Sequence, residues 1–164
     1  IGEVLSAKGA HADAADAYCR ALEHRQEDVE RFIALQDDNA SKSSLDFLQC
    51  RRRFVEANLM LSEELLACPA DEDVITSETG AMLVSAKDRV DFARGYYDKA
   101  RDELQETVLL MGQLAAKNID IQDEKENVCF IATLVMGVGT QLADFDTQAE
   151  AQTSTEPVKK KTKT

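Results

Sequence analysis

The sequence predicts an all-α fold of four or five antiparallel helices, and three observations carry that expectation. Apolar residues recur at alternating three- and four-residue steps, the spacing that lines one face of a helix. Only seven Gly and two Pro occur in 164 residues, too few for a sheet protein built on tight turns. Hydrophobic residues make up 44% and charged residues 30%, a balance that packs a soluble core rather than leaving a disordered chain. Aromatics are 5% and Trp is absent, so that core is mostly aliphatic.

The first element is a helical hairpin. Gly2, Leu5, Gly9, Ala14, Tyr18, Ala21 and Leu22 place small and large residues in alternation. Gly2 lets paired helices approach closely, and Gly9 makes the turn. Ala14 and Ala21 are small where one helix nests on another, and Tyr18 fills the gap between them. This stretch resembles the end of the first helix, the turn and the second helix of a tetratricopeptide repeat, over roughly the first 25 residues. Ala93, Tyr97 and Ala100 repeat the Ala, Tyr, Ala spacing, with Asp88 where the turn glycine would stand. Ala57, Leu61 and Pro69 match more loosely, and Arg51, Arg52 and Arg53 occupy the expected turn there. The resemblance implies a stacked hairpin with a concave groove for a partner segment. It also implies the C-terminal end of a longer array, because Ile1 and Gly2 read as the middle of a first repeat.

Residues 37–43 read as a turn. A second helix is expected over 44–67. Phe47, Leu48, Phe54, Val55, Leu59, Leu61, Leu65 and Leu66 cover more than a narrow stripe, so this helix packs on two sides. Pro69 and the acids Asp71, Glu72 and Asp73 end it. Leu83, Ala86, Val90, Ala93, Tyr97, Ala100, Leu104, Met111 and Leu114, with Thr107 filling one place, predict one long helix over 76–118, capped by Thr76 or Ser77. At 1.5 Å per residue it would run on the order of 60 Å. Residues 118–123 read either as a turn with Asp120 or Asp123 as cap, or as continued helix. Val128, Ile131, Val135, Val138, Leu142 and Phe145 predict a last helix over 123–149. Residues 1–149 thus form one all-helical domain or the end of a helical array. Residues 150–164 are expected to be a disordered Lys-rich tail.

The net charge is −12, and the last eight residues carry four Lys and no acid. Without them, 15 basic residues face 31 acidic ones, a balance of −16. Such a body repels phosphate backbones and anionic lipid, which disfavours nucleic-acid binding and favours partners with basic patches. No continuous run reaches the roughly 18 apolar residues of a membrane span. Cys19, Cys50, Cys68 and Cys129 show no CxxC spacing, so they read as small buried hydrophobes in a reducing, cytoplasmic compartment.

No catalytic constellation stands out, and no cofactor or metal is expected. His11, beside the turn, and His24, near Glu23 and Glu27, read as ordinary surface histidines. Neither has a Glu three residues before it, which a di-iron bundle would need. Gly137 and Gly139 lack the lysine of a phosphate loop and read as points of close helix approach or of local weakening of the helix. Arg51, Arg52 and Arg53 form the one dense basic cluster of the acidic body. They offer a site for an acidic partner, or simply intrahelical pairing such as Arg52 with Glu56. The expected function is a non-enzymatic protein–protein interaction module, part of a larger scaffold or assembly. The alternative is a structural subunit that self-associates through the 83–114 and 128–145 seams.

Overall fold

The computed structural model describes residues 1–34, 42–69, 74–75, 83–84 and 88–153. The fold is all-α. Its helices are α1 (Gly2–Ala7), α2 (His11–Ala34), α3 (Lys42–Ala67), α4 (Arg89–Ala116) and α5 (Gln122–Thr153). Between α3 and α4, β1 (Val74–Ile75) and β2 (Leu83–Val84) pair antiparallel, Val74 opposite Val84 and Ile75 opposite Leu83.

The α1–α2 and α4–α5 hairpins turn by the same device. At the end of α1, Ala10 N–H bonds to the Leu5 carbonyl and Gly9 N–H to that of Ser6, with Gly9 at φ +74°. At the end of α4, Ile119 N–H bonds to the Leu114 carbonyl and Asn118 N–H to that of Ala115, with Asn118 at φ 57°. This 6→1 and 5→2 pair needs one left-handed residue, which Gly adopts freely and Asn tolerates. Residues 118–121 are therefore a turn, and Gln122 and Asp123 already belong to α5. Asp120 accepts a hydrogen bond from Gln122 N–H at 3.1 Å, holding the first amide of α5.

α3 is the central rod. Phe54, Leu61 and Leu65 join Ala15, Cys19 and Leu22 of α2, Ala93 of α4, and Val138 and Leu142 of α5 in the main core. Val55 and Leu59 meet Ala100 and Ile131 in a second cluster, and Leu48 meets Leu114 and Ile121 in a third. Rising numbers in α3 thus meet falling numbers in α4 and rising numbers in α5. Successive helices run antiparallel, while α3 and α5 run parallel. A buried Ser62 hydroxyl donates to the Ala93 carbonyl at 2.8 Å and fixes the register of α3 on α4.

Three expectations change. The long helix starts at Arg89 rather than near 76, because Val74–Ile75 and Leu83–Val84 are extended. Its 28 residues span about 42 Å. The expected caps Thr76 and Ser77, the acids 71–73 and residues 37–41 lie outside the described residues, whereas Lys42 and Ser43 open α3. The last helix continues past 149 to Thr153, and residues 154–164 lie outside the described ones. Beyond α1, helices of 24, 26, 28 and 32 residues exceed what a 34-residue helix–turn–helix repeat can hold.

Candidate interaction groove

Tyr18 organises the N-terminal side of the molecule. Its ring lies under Gly2, and a Cβ built on Gly2 would stand 2.8 Å from the ring carbon Cζ. Ala14 is fully buried, whereas Ala21 is half-buried beside the ring. α1 is only six residues long, and this contact seats it on α2.

Three cavities open around Tyr18, and each is lined by both Tyr18 and Glu3. One, of about 590 Å³, lies along Ile1, Gly2, Ala17 and Arg20. A second, of about 310 Å³, lies between α1 and the C-terminal half of α3, with Ser6, His11, Met60, Glu63 and Glu64 in its wall. A third, of about 300 Å³, continues along α3 to Arg52, Arg53, Glu56 and Met60, with Arg25 from α2. The two cavities along α3 share Met60 and form one branched cleft.

The cleft has two electrostatic ends. At the α3 C-terminal end, the buried carboxylate of Glu64 is paired with His11 Nδ1 at 2.7 Å. Glu63 beside it titrates above the usual carboxylate range, because burial and the neighbouring Glu64 both disfavour its charge. The Tyr18 phenol is pushed up to about 12 by burial first, then by Glu3, Glu64, Glu56 and Glu63, so it stays a hydrogen-bond donor at neutral pH. At the other end stand the guanidinium groups of Arg25 and Arg53. Burial and then the Asp28 charge push the nearby Cys50 thiol up, and these two guanidinium groups offset only part of the rise.

The triple-arginine cluster divides. Arg51 pairs with Glu103 at 3.5 Å and Glu106 at 3.8 Å and lies over the Phe47 ring, which ties α3 to α4. Arg52 donates to Glu124 at 2.8 Å and Glu56 at 3.4 Å, which ties α3 to α5. Both side chains are 14% exposed. Their charge is spent inside the fold, leaving Arg53 as the exposed member. The intrahelical Arg52–Glu56 pair is present, and the interhelical pairs are added to it.

Ala93 and Ala100 are fully buried in α4, with Tyr97 half-buried between them. The glycine opposite Tyr97 is Gly139 of α5, whose built Cβ would stand 2.6 Å from the Tyr97 hydroxyl. Gly137 has open space at its Cβ. The seams considered for self-association are largely turned inward: Ala93, Ala100, Leu114, Val128, Ile131, Val138 and Leu142 are all buried.

His24 is exposed, but His11 is not an ordinary surface histidine, since it answers a buried carboxylate. The signal for that pair is Glu64 itself, an acid set among Leu61, Leu65 and Cys68 on an inward stripe. Cys19, Cys50 and Cys68 are buried, and Cys129 is exposed on α5. Burial pushes the Cys19 thiol up to about 11, with Glu23 and Asp16 adding to the rise. No group of three or more potential metal ligands occurs among the described residues. Comparison with protein-family models, curated proteins and solved structures finds no match to the chain.

Proposed function

We propose that this chain is a non-enzymatic protein-interaction module of a larger assembly, holding a partner segment in the cleft around Tyr18. The observation that carries the reading is the set of three cavities sharing Glu3 and Tyr18. A short helix rests on one aromatic ring and leaves an open channel against α3. The resemblance of this hairpin to a tetratricopeptide unit points the same way, since stacked hairpins present grooves to extended segments.

The charges select the segment. Glu3 and the partly buried Glu63 favour a Lys or Arg at the α3 C-terminal end, in keeping with the acidic body. Arg25 and Arg53 favour an acidic residue at the other end. Met60, between them, offers an adaptable apolar contact.

The test is selection of displayed peptides on the intact chain, followed by affinity measurement on variants. Glu3→Lys with Glu63→Lys should weaken the selected segments about tenfold or more, as expected for misplaced like charges. Arg53→Glu should disfavour their acidic end. Selected segments that bind both variants as tightly as the unaltered chain would remove the cleft from consideration.

A further inference from the structure

The outward side of α5 carries an inference that does not depend on the Tyr18 cleft. Residues 128–143 contain no charged side chain. At 1.5 Å per residue they span about 24 Å. Val128, Ile131, Val138 and Leu142 use one side of this stretch to pack into the fold. The opposite side stays open, with Phe130 59% and Met136 66% exposed. Only 22% of the helix's most apolar 18-residue stretch is buried, and Gln122–Gln148 is apolar and long enough, by length and composition alone, to cross a membrane.

This open side is also dry in its hydrogen bonding. Thr133 and Thr140 lie on it, and their hydroxyls donate to the carbonyls of Cys129 at 3.1 Å and Met136 at 2.9 Å. Their hydroxyl protons are thus satisfied within α5, and a covering surface leaves neither donor orphaned. Gly137 adds a flat point with open space above it. Glu126, Phe130, Thr133, Gly137, Thr140 and Asp144 follow one another at three- and four-residue steps, so both ends of the stripe are exposed acids.

Those ends decide what fits. A second copy, in either direction, would set acid against acid at both ends of the contact. A lipid surface meets the same acidic ends, and the uncharged rise falls short of the roughly 30 Å hydrocarbon core. On its inner side, the Arg52–Glu124 pair holds α5 to α3. We propose that this face docks an amphipathic helix of another protein, whose apolar stripe of about four turns is flanked at both ends by Lys or Arg.

The experiment uses two labelled synthetic helices with the same Leu/Ala stripe, one ending in Lys pairs and one in Glu pairs. Fluorescence anisotropy at physiological salt should show the Lys-ended helix binding at least tenfold more tightly. Phe130→Asp with Met136→Asp should weaken it at least tenfold, although the added acids would strengthen attraction that was merely electrostatic. Circular dichroism should be unchanged, because both side chains are exposed. A second readout needs no variant. Cys129 is the exposed thiol of this face, and the Lys-ended helix should slow its alkylation severalfold while Cys19, Cys50 and Cys68 stay protected. Equal binding of the two helices, or an unchanged alkylation rate at saturation, overturns the proposal. So does a concentration-dependent dimer that Phe130→Asp dissociates, or uptake onto phosphatidylcholine vesicles that the same substitution abolishes.

Discussion

The α1–α2 and α4–α5 hairpins are built from the same parts in opposite order. In α1–α2 the glycine precedes the turn and the Ala14, Tyr18, Ala21 triplet follows it. In α4–α5 the triplet Ala93, Tyr97, Ala100 comes first and Gly139 follows. Each turn closes on a left-handed residue, Gly9 in one and Asn118 in the other. The packing problem is also shared. A tyrosine between two alanines needs a partner helix with no side chain where the ring lies. What differs is depth. Tyr18 lies nine positions from Gly9, under a six-residue helix at the edge of the fold. Tyr97 lies 21 positions from Asn118, between long helices that share α3 as a third neighbour. The same constellation therefore serves a detachable edge in one place and the central frame in the other.

The sharpest way to break this comparison is to enlarge an alanine at each junction. Ala100 is fully buried among Val55, Leu59 and Ile131, drawn from both flanking helices. Ala100→Leu should lower the unfolding free energy by about 3 kcal/mol, the upper part of the usual overpacking range. The loss should be global, moving the whole denaturant transition to lower concentration. Ala21→Leu, at a half-buried position beside the groove, should cost under about 1 kcal/mol. Equal losses would show that the edge hairpin is as integral as the centre.

The next effect is local. Gly2→Ala brings a methyl within 3.0 Å of three Tyr18 ring atoms, so the ring or α1 must move. About 1 kcal/mol is expected, with the methyl's steric cost partly offset by the reduced freedom of the unfolded chain. Hydrogen exchange should quicken in α1 and at the N-terminal end of α2, while amides in α3 and α4 keep their protection. Exchange that quickens equally in α4 would contradict the edge assignment.

Two glycines only two residues apart, and so on different sides of α5, should then separate cleanly. Gly137 has open space at its Cβ, so Gly137→Ala should gain about 0.8–1.0 kcal/mol of helix propensity. Gly139→Ala gains the same term but drives its methyl against the Tyr97 hydroxyl at 2.6 Å, so the net change should be near zero or unfavourable. Thermal melts of the two variants decide the matter, and an equal gain in both would remove Gly139 from the junction.

Much of this frame was legible in the residues. The turn at Gly9, the breadth of the α3 apolar surface and the α4 seam all follow from spacing, because periodicity reports which face a helix buries. The pairing of faces was less legible. In the first hairpin the glycine under the ring precedes the Ala, Tyr, Ala triplet, and nothing in the spacing of Ala93, Tyr97 and Ala100 shows that their glycine follows instead. Contact order is free to reverse, and the glycine lies 42 residues downstream of Tyr97, at 139. The start of α4 at Arg89 is hidden in the sequence for a related reason. Leu83 fits the heptad seam, yet a single apolar residue at the end of a seam carries no period of its own, and Leu83–Val84 instead pairs in extended form with Val74–Ile75. The Arg51 and Arg52 partners were invisible because Glu103, Glu106 and Glu124 lie 52 to 72 positions away. Density of charge along a sequence says nothing of whether tertiary structure consumes it.

The smallest effect separates the hairpins by pH. Acidic groups crowd the Tyr18 junction, where Glu63 holds its proton above the ordinary carboxylate range because of burial and then Glu64. A carboxyl whose folded-state affinity for protons is raised binds more protons in the folded chain than in the unfolded one, so this group's contribution to stability falls as pH rises from its ordinary value to its raised one. Above that window Glu63 is ionised in both states and its cost is constant. Glu63→Gln should therefore raise the melting temperature at pH 7, and the gain should shrink as the pH falls through the folded-state value and vanish below the ordinary one. Amide exchange in α1 should slow along with it, while exchange at the Tyr97–Gly139 junction stays the same. A gain that persists undiminished at pH 3 would mean that the glutamine acts through packing, and that charge at the cleft does not set the strength of this edge.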